Sequence, residues 1–347
     1  VIINTAPDIT TVTTSPSVDI TTFGTVVCAA EATDADGGEP TLSYAWTKED
    51  GTVLGSEATL TLSPSLVSPE DSITCTATAT DVHGGSSSTT IIIVIINTAP
   101  TVGSVTASPD SGVSTSTTVV CTASVSDADG ESPEVAYVWT NEAGTTLGLE
   151  SSLALSPALV TPGDIITCTV TASDGYGGSA SDTVAVLIGN TGPDITSVST
   201  SPSEDITTST TVVCAAEAED DDGGDVTLGY LWTNSAGDTL GTEASLTLTP
   251  AIVSPGDELV CTVTATDADG GTSRTSILII IINTAPEISA VSTSPSTGVT
   301  TTTIIVCAAD ASDADESILT LLYQWTNGAG DALGDAATLT LTPSKVS

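Results

Sequence analysis

Apolar and polar residues in this chain show few segments with helical spacing. Runs of Thr, Val, Ile and Ser are broken at short intervals by Gly, Pro and Asp, which is the signature of strands and turns. Over residues 4–96 the pattern predicts seven strands, at 9–14, 25–33, 41–47, 52–54, 58–63, 72–80 and 88–96. Glu49-Asp50-Gly51 supplies a hairpin turn, with Gly free to take positive φ. Residues 64–69 supply a crossover between two sheets.

The same pattern returns every 93 residues. N-T-A-P begins at Asn4, Asn97 and Asn283, with N-T-G-P at Asn190. Trp46, Trp139, Trp232 and Trp325 keep the interval. So do Cys28, Cys121, Cys214 and Cys307, and likewise Cys75, Cys168 and Cys261. Three independent landmarks with one period define a tandem array without linkers. The repeats are read as 4–96, 97–189, 190–282 and 283–347, the last incomplete, with 1–3 closing a preceding unit. These ragged ends and the absence of Met suggest a window from a longer repetitive chain. Donor-strand exchange between copies fits less well, because the strand bearing the second Cys of the fourth repeat would still be missing.

Cys on the second strand, Trp on the third and Cys on the sixth resemble the immunoglobulin-like pattern. The A-x-D-x-D-G turns and N-T-A-P junctions resemble tandem extracellular PKD and cadherin-type repeats of bacterial and archaeal surface proteins. The W-D-F-G-D-G signature of PKD domains and the full cadherin linker are absent. The resemblance implies an all-β chain of tandem immunoglobulin-like sandwiches, about seven strands each. It also implies the bridges Cys28–Cys75, Cys121–Cys168 and Cys214–Cys261, with each Trp packed on them in the core. Such bridges belong to oxidising compartments, so the expected location is extracellular or at the cell surface.

Composition removes several function classes. Asp and Glu number 44 against 3 Lys and Arg, a net charge of −41. Nucleic acid needs clustered cations, and only Lys48, Arg274 and Lys345 exist. The longest apolar runs, 91–96 and 277–282, are far shorter than the roughly 20 residues of a membrane span. A catalytic triad needs a His; His83 is the only one, and its equivalents are Tyr176 and Asp269, so the fold does not require it there and it is expected to be a solvated loop residue rather than a catalytic one. The chain is expected not to be an enzyme.

The acids cluster. Asp34, Asp36 and Asp81, then Asp127, Asp129 and Asp174, then Asp220, Asp222, Asp267 and Asp269 fall in the second-to-third and sixth-to-seventh loops. In an immunoglobulin-like sandwich these loops share the pole at which the chain enters. Glu70, Asp71, Asp164 and Asp257 of the crossover loops are expected to face the same gap. Two readings stand: a Ca²⁺ ion at each junction, whose oxygen ligands Asp provides, or solvated turn chemistry.

The last strands break the alternation expected of a sheet with one wet face. Residues 91–96 and 277–282 are continuously apolar. Ile92, Ile93, Ile279 and Ile281 are therefore candidates for contact with a neighbouring repeat or another chain; the other reading is burial at their own junction. The expected function is a stiff, disulfide-locked stalk or filament assembled by self-association. Two alternatives are a cell-surface adhesin that uses these repeats as a spacer and an accessory region of a secreted enzyme.

Overall fold

The computed structural model describes residues 3–315 and 318–345, and every regular element among them is a strand. The first repeat contains β1 (Asp8–Ser15), β2 (Gly24–Thr33), β3 (Thr41–Lys48), β4 (Val53–Gly55), β5 (Thr59–Leu62), β6 (Ser72–Thr80) and β7 (Ser86–Val94). Side chains of β6 alternate between buried and half-buried, the period of two that a pleated strand imposes. All pairings are antiparallel. One sheet runs β1-β2-β5 and the other β4-β3-β6-β7. The chain is thus a series of immunoglobulin-like sandwiches.

In a constant-type sandwich the short fourth strand extends the sheet of the first, second and fifth. Here β4 pairs with β3 instead. The turn explains this: Lys48 and Thr52 are bonded backbone to backbone, and Gly51 takes φ +87°. So short a reversal cannot reach a second sheet about 10 Å away.

Each core is built on the same three residues. Trp46 is fully buried with Cys28, Cys75, Ile73, Val26 and Leu60. Its indole N–H donates to the Glu57 carbonyl at 3.0 Å, so burial leaves no polar group unpaired. Trp139 and Trp232 repeat this with Glu150 and Glu243. Disulfides join Cys28 to Cys75, Cys121 to Cys168 and Cys214 to Cys261, each tying β2 to β6 or their equivalents. Closing a loop of this length stabilises the fold by about 4 kcal/mol in the chain-entropy model. Trp325 departs from its expected core role and is only half-buried. Cys307 is a free thiol.

The chain forms two compact units, the first ending at Gly189 and the second beginning at Asn190. Each contains two successive repeats. Strand β7 ends at Val94, two residues before the apolar run does. Ile95 leaves the sheet and donates its N–H to the Asp71 carbonyl, and Ile96 donates to the Ile20 carbonyl.

Candidate functional site at the repeat poles

The second-to-third and sixth-to-seventh loops meet the entering N-T-A-P segment, and every residue of that motif has a task. Asn4 donates its side-chain N–H to Asp81 Oδ2 at 2.9 Å. Thr5 donates both its N–H and its hydroxyl to Asp36 Oδ2, at 2.6 and 2.8 Å. The Pro7 carbonyl accepts from Ser87. The Ala6 Cα lies against Gly85, where an added Cβ would sit 2.5 Å from Asp81 Oδ2. Gly85 therefore allows the Asn–Asp pair to close.

The pattern recurs within each unit. Asn97 donates to Asp174 and Thr98 to Asp129; Asn190 donates to Asp267 and Thr191 to Asp222. Gly178 and Gly271 lie against their Asn–Asp pairs as Gly85 does. Asp34, Asp127 and Asp220 each accept, through Oδ1, the N–H of the second Asp in their own turn. Asp269 donates its N–H to Asp267 Oδ1. Asp81 also accepts from the His83 and Gly85 N–H groups, so both its oxygens are engaged.

These donors favour the ionised form. The Asn4, Asn97 and Asn190 amides hold Asp81, Asp174 and Asp267 below the ordinary carboxylate value, aided by backbone N–H groups and against some desolvation. The Thr5 N–H does the same for Asp36. Much of the like-charge cost at the poles is thus met by the chain's own donors.

Within each unit, hydrogen bonds cross from one repeat to the next. Thr22, fully buried, donates its hydroxyl to Asp129 Oδ1 at 2.6 Å. In the second unit Thr208 donates to Asp315 Oδ1 at 2.5 Å, and Thr284 donates to Asp315 Oδ2. One carboxylate therefore holds its own repeat's entry and a hydroxyl of the repeat before. Gly130 completes the first junction: at φ +89° a Cβ there would lie 2.9 Å from Pro64. The Thr residues escape notice in the sequence because Thr is abundant and suits strands. Their signal is Thr22, Thr115, Thr208 and Thr301 at the 93-residue period.

The crossover acids do not face the gap as expected. Asp71, Asp164 and Asp257 accept N–H bonds from Ser68, Thr161 and Ser254 inside their own turns, and Asp71 also binds Lys48 at 2.7 Å. A carboxylate that closes its own turn is no longer free to reach across.

Among the described residues, one group brings the carboxylates of three residues within 4.8 Å: Asp127, Asp129 and Glu131. Asp127 Oδ2 and Glu131 Oε2 are buried and make no hydrogen bond. Two oxygens short of a donor beside a third carboxylate fit a hard cation. Glu131 stands where the first and third repeats have Gly38 and Gly224, so it follows from no repeat-wide rule. In the first repeat Asp34, Asp36, Glu39, Asp81 and His83 line a cleft of about 40 Å³.

The apolar last strands also divide differently from expectation. Ile93, Ile279 and Ile281 are buried in their own cores, as alternation requires, and are not assembly contacts. Ile92 is 63% exposed. Coverage by the following repeat in the same unit is overturned, since Val94, Leu278 and Ile280 are exposed too.

No family model matches the chain, and neither does any curated protein. Solved structures of tandem-repeat proteins do. A Ca²⁺-stabilised adhesin with which an Antarctic bacterium binds ice matches at 15% identity and TM-score 0.29, over 98% of this chain and 99% of that one. A tetra-tandem repeat from the extending region of a large adhesion protein matches at 18% and 0.28, over 99% and 92%. Titin domains A168–A170 match at 13% and 0.28, over 80% and 99%.

Proposed function

We propose that the chain is an extracellular structural protein, a stiff stalk or filament of immunoglobulin-like repeats. Disulfides lock the first three repeats internally. The Thr–Asp clamps then tie one repeat to the next, which limits bending where a flexible linker would permit it. The observation that carries the reading is Asp129, whose carboxylate bonds Thr98 of its own repeat and Thr22 of the preceding one. A hydrogen bond to a buried charged group contributes roughly 1.5–3 kcal/mol, enough to hold a junction closed most of the time.

Ca²⁺ has a place in this reading, with Asp127, Asp129 and Glu131 as its protein ligands. The ion would supply positive charge to oxygens that no protein donor reaches. Heating the full chain with millimolar Ca²⁺ and with chelator tests both parts. A Ca²⁺-dependent rise in Tm that Glu131→Gln abolishes is expected. Equal melting in both conditions would remove the ion, while the clamps would still be tested by the chain's dimensions in solution.

A further inference from the structure

The four sheet edges of a repeat are not protected alike. Strand β1 carries a bulge between Ile9 and Thr11 and runs into Pro16. Strands β4 and β5 span only three and four residues. Bulges, prolines and shortness are how natural sheets keep an edge from recruiting another strand. Strand β7 uses none of them. It has nine residues, keeps unbroken register with β6, and contains no Pro and no charged side chain. Its equivalents, Ser179–Leu187 and Thr272–Ile280, are as long and as regular. Their only charges, Asp182 and Arg274, lie in the N-terminal half.

The C-terminal half of each edge is apolar on its outer face. Ile92, Leu187 and Ile280 are 63%, 61% and 55% exposed. In the third repeat a groove of about 540 Å³ runs beside this strand, with Val198, Ile206, Leu278 and Ile280 in its lining and Glu204 and Asp205 on its far side. Among the described residues, the strands at this edge pair on one side only, with β6 or its equivalent.

We propose that this edge is where two copies of the chain pair, last strand against last strand and antiparallel. Two four-stranded sheets then continue as one of eight. Charge selects the occupant. A second copy of a chain with net charge −41 is repelled wherever acids lie; the half-strands that would pair have none, and Glu204 and Asp205 of the third repeat lie across the groove from the strand's backbone edge rather than on it. A cationic partner would instead be drawn to the acidic poles. The backbone is self-complementary, because each edge offers the same unpaired N–H and C=O groups, as a two-fold interface requires. Pairing also sets the outward Ile, Val and Leu beside their counterparts, where cross-strand apolar pairs stabilise a sheet. The stripe recurs every 93 residues, a spacing that another copy matches.

The pairing deepens the structural role proposed above and rests on it. Sedimentation velocity on the full chain, over a range of concentrations and in about 0.5 M salt to screen the charge, provides the test. Wild type is expected to associate reversibly. Ile92→Glu with Leu187→Glu and Ile280→Glu is expected to raise the dissociation constant at least about tenfold. Val53→Glu with Thr146→Glu and Thr239→Glu adds the same charge at another edge and is expected to leave association unchanged. The corresponding Gln triple at the last strands should weaken pairing without added charge, and circular dichroism verifies that each variant is folded. A wild type that stays monomeric, or edge and control variants that weaken alike, overturns the pairing. Scattering from the monomeric edge variant separates the two proposals. If it is extended, the stalk survives whatever happens to pairing; if it is compact, the stalk fails.

Discussion

The poles of the first and second repeats have nearly the same sequence, D-A-D-G-G against D-A-D-G-E, and are used differently. At the first, Asp36 is exposed and its carboxylate accepts from the Thr5 that follows Asn4. At the second, the equivalent Asp129 is buried and shared with Thr22 of the repeat before. The Gly two residues on has become Glu131, whose Oε2 lacks a donor. At the second pole one turn motif therefore does two things: it closes its own repeat through Thr98, and it holds Thr22 of the repeat before. The acids are first a scaffold for N-T-A-P, and only where donors run out do they offer a cation a site.

Opening a disulfide should not distinguish the two repeats. Cys28→Ala with Cys75→Ala, and Cys121→Ala with Cys168→Ala, should each cost about 4 kcal/mol by denaturant unfolding, since both loops span 47 positions. A large inequality would mean that the cores differ as well as the poles. Next in size is Gly178→Ala, which forces a Cβ to within 2.2 Å of Asp174 Oδ2. It should cost about 2 kcal/mol, and Gly85→Ala a similar amount. Asp129→Asn should cost about 1–2 kcal/mol and uncouple the melting of repeats one and two, whereas Asp36→Asn should leave that coupling intact. Both effects are read by calorimetry.

A smaller difference lies in the crossover turn. Glu70 sits at φ +68°, where the second repeat has Gly163 at +90°. Glu70→Gly should therefore stabilise the first repeat by about 1 kcal/mol, after allowing for the greater freedom of the unfolded chain. The last prediction concerns acid. Asp81 and Asp174 have folded-state values below their ordinary one, so their contribution is present above the ordinary value of 3.8 and is lost as pH falls through the depressed value. Both poles should loosen together below about pH 4. Loss near neutral pH, followed by the amide signals of Asn4 and Asn97, would contradict the proposed pairing.

Much of this was legible in the sequence because repetition printed it several times over. All seven strands of the first repeat follow from pattern and period, and the meeting of two acidic loops at the entry pole follows from the resemblance to an immunoglobulin-like sandwich. What could not be read was direction. Ile92 and Ile93 look equivalent in an unbroken apolar run, and only the pleat decides which faces the core. Asp71 and Asp129 are both loop acids, yet one closes its own turn and the other reaches a neighbour. Glu131 breaks the repeat, so the period does not point to it, and Thr22 is one Thr among many.

The central claim is that the two repeats of each unit are held by a shared carboxylate. Small-angle X-ray scattering of the full chain, compared with the double variant Thr22→Val and Thr208→Val, tests it most directly. A compact domain of this length would have a radius of gyration near 20 Å. The account predicts a clearly larger value for wild type, with a rod-like profile that becomes flexible in the variant. A compact wild type, or a variant whose scattering is indistinguishable from it, would contradict the account.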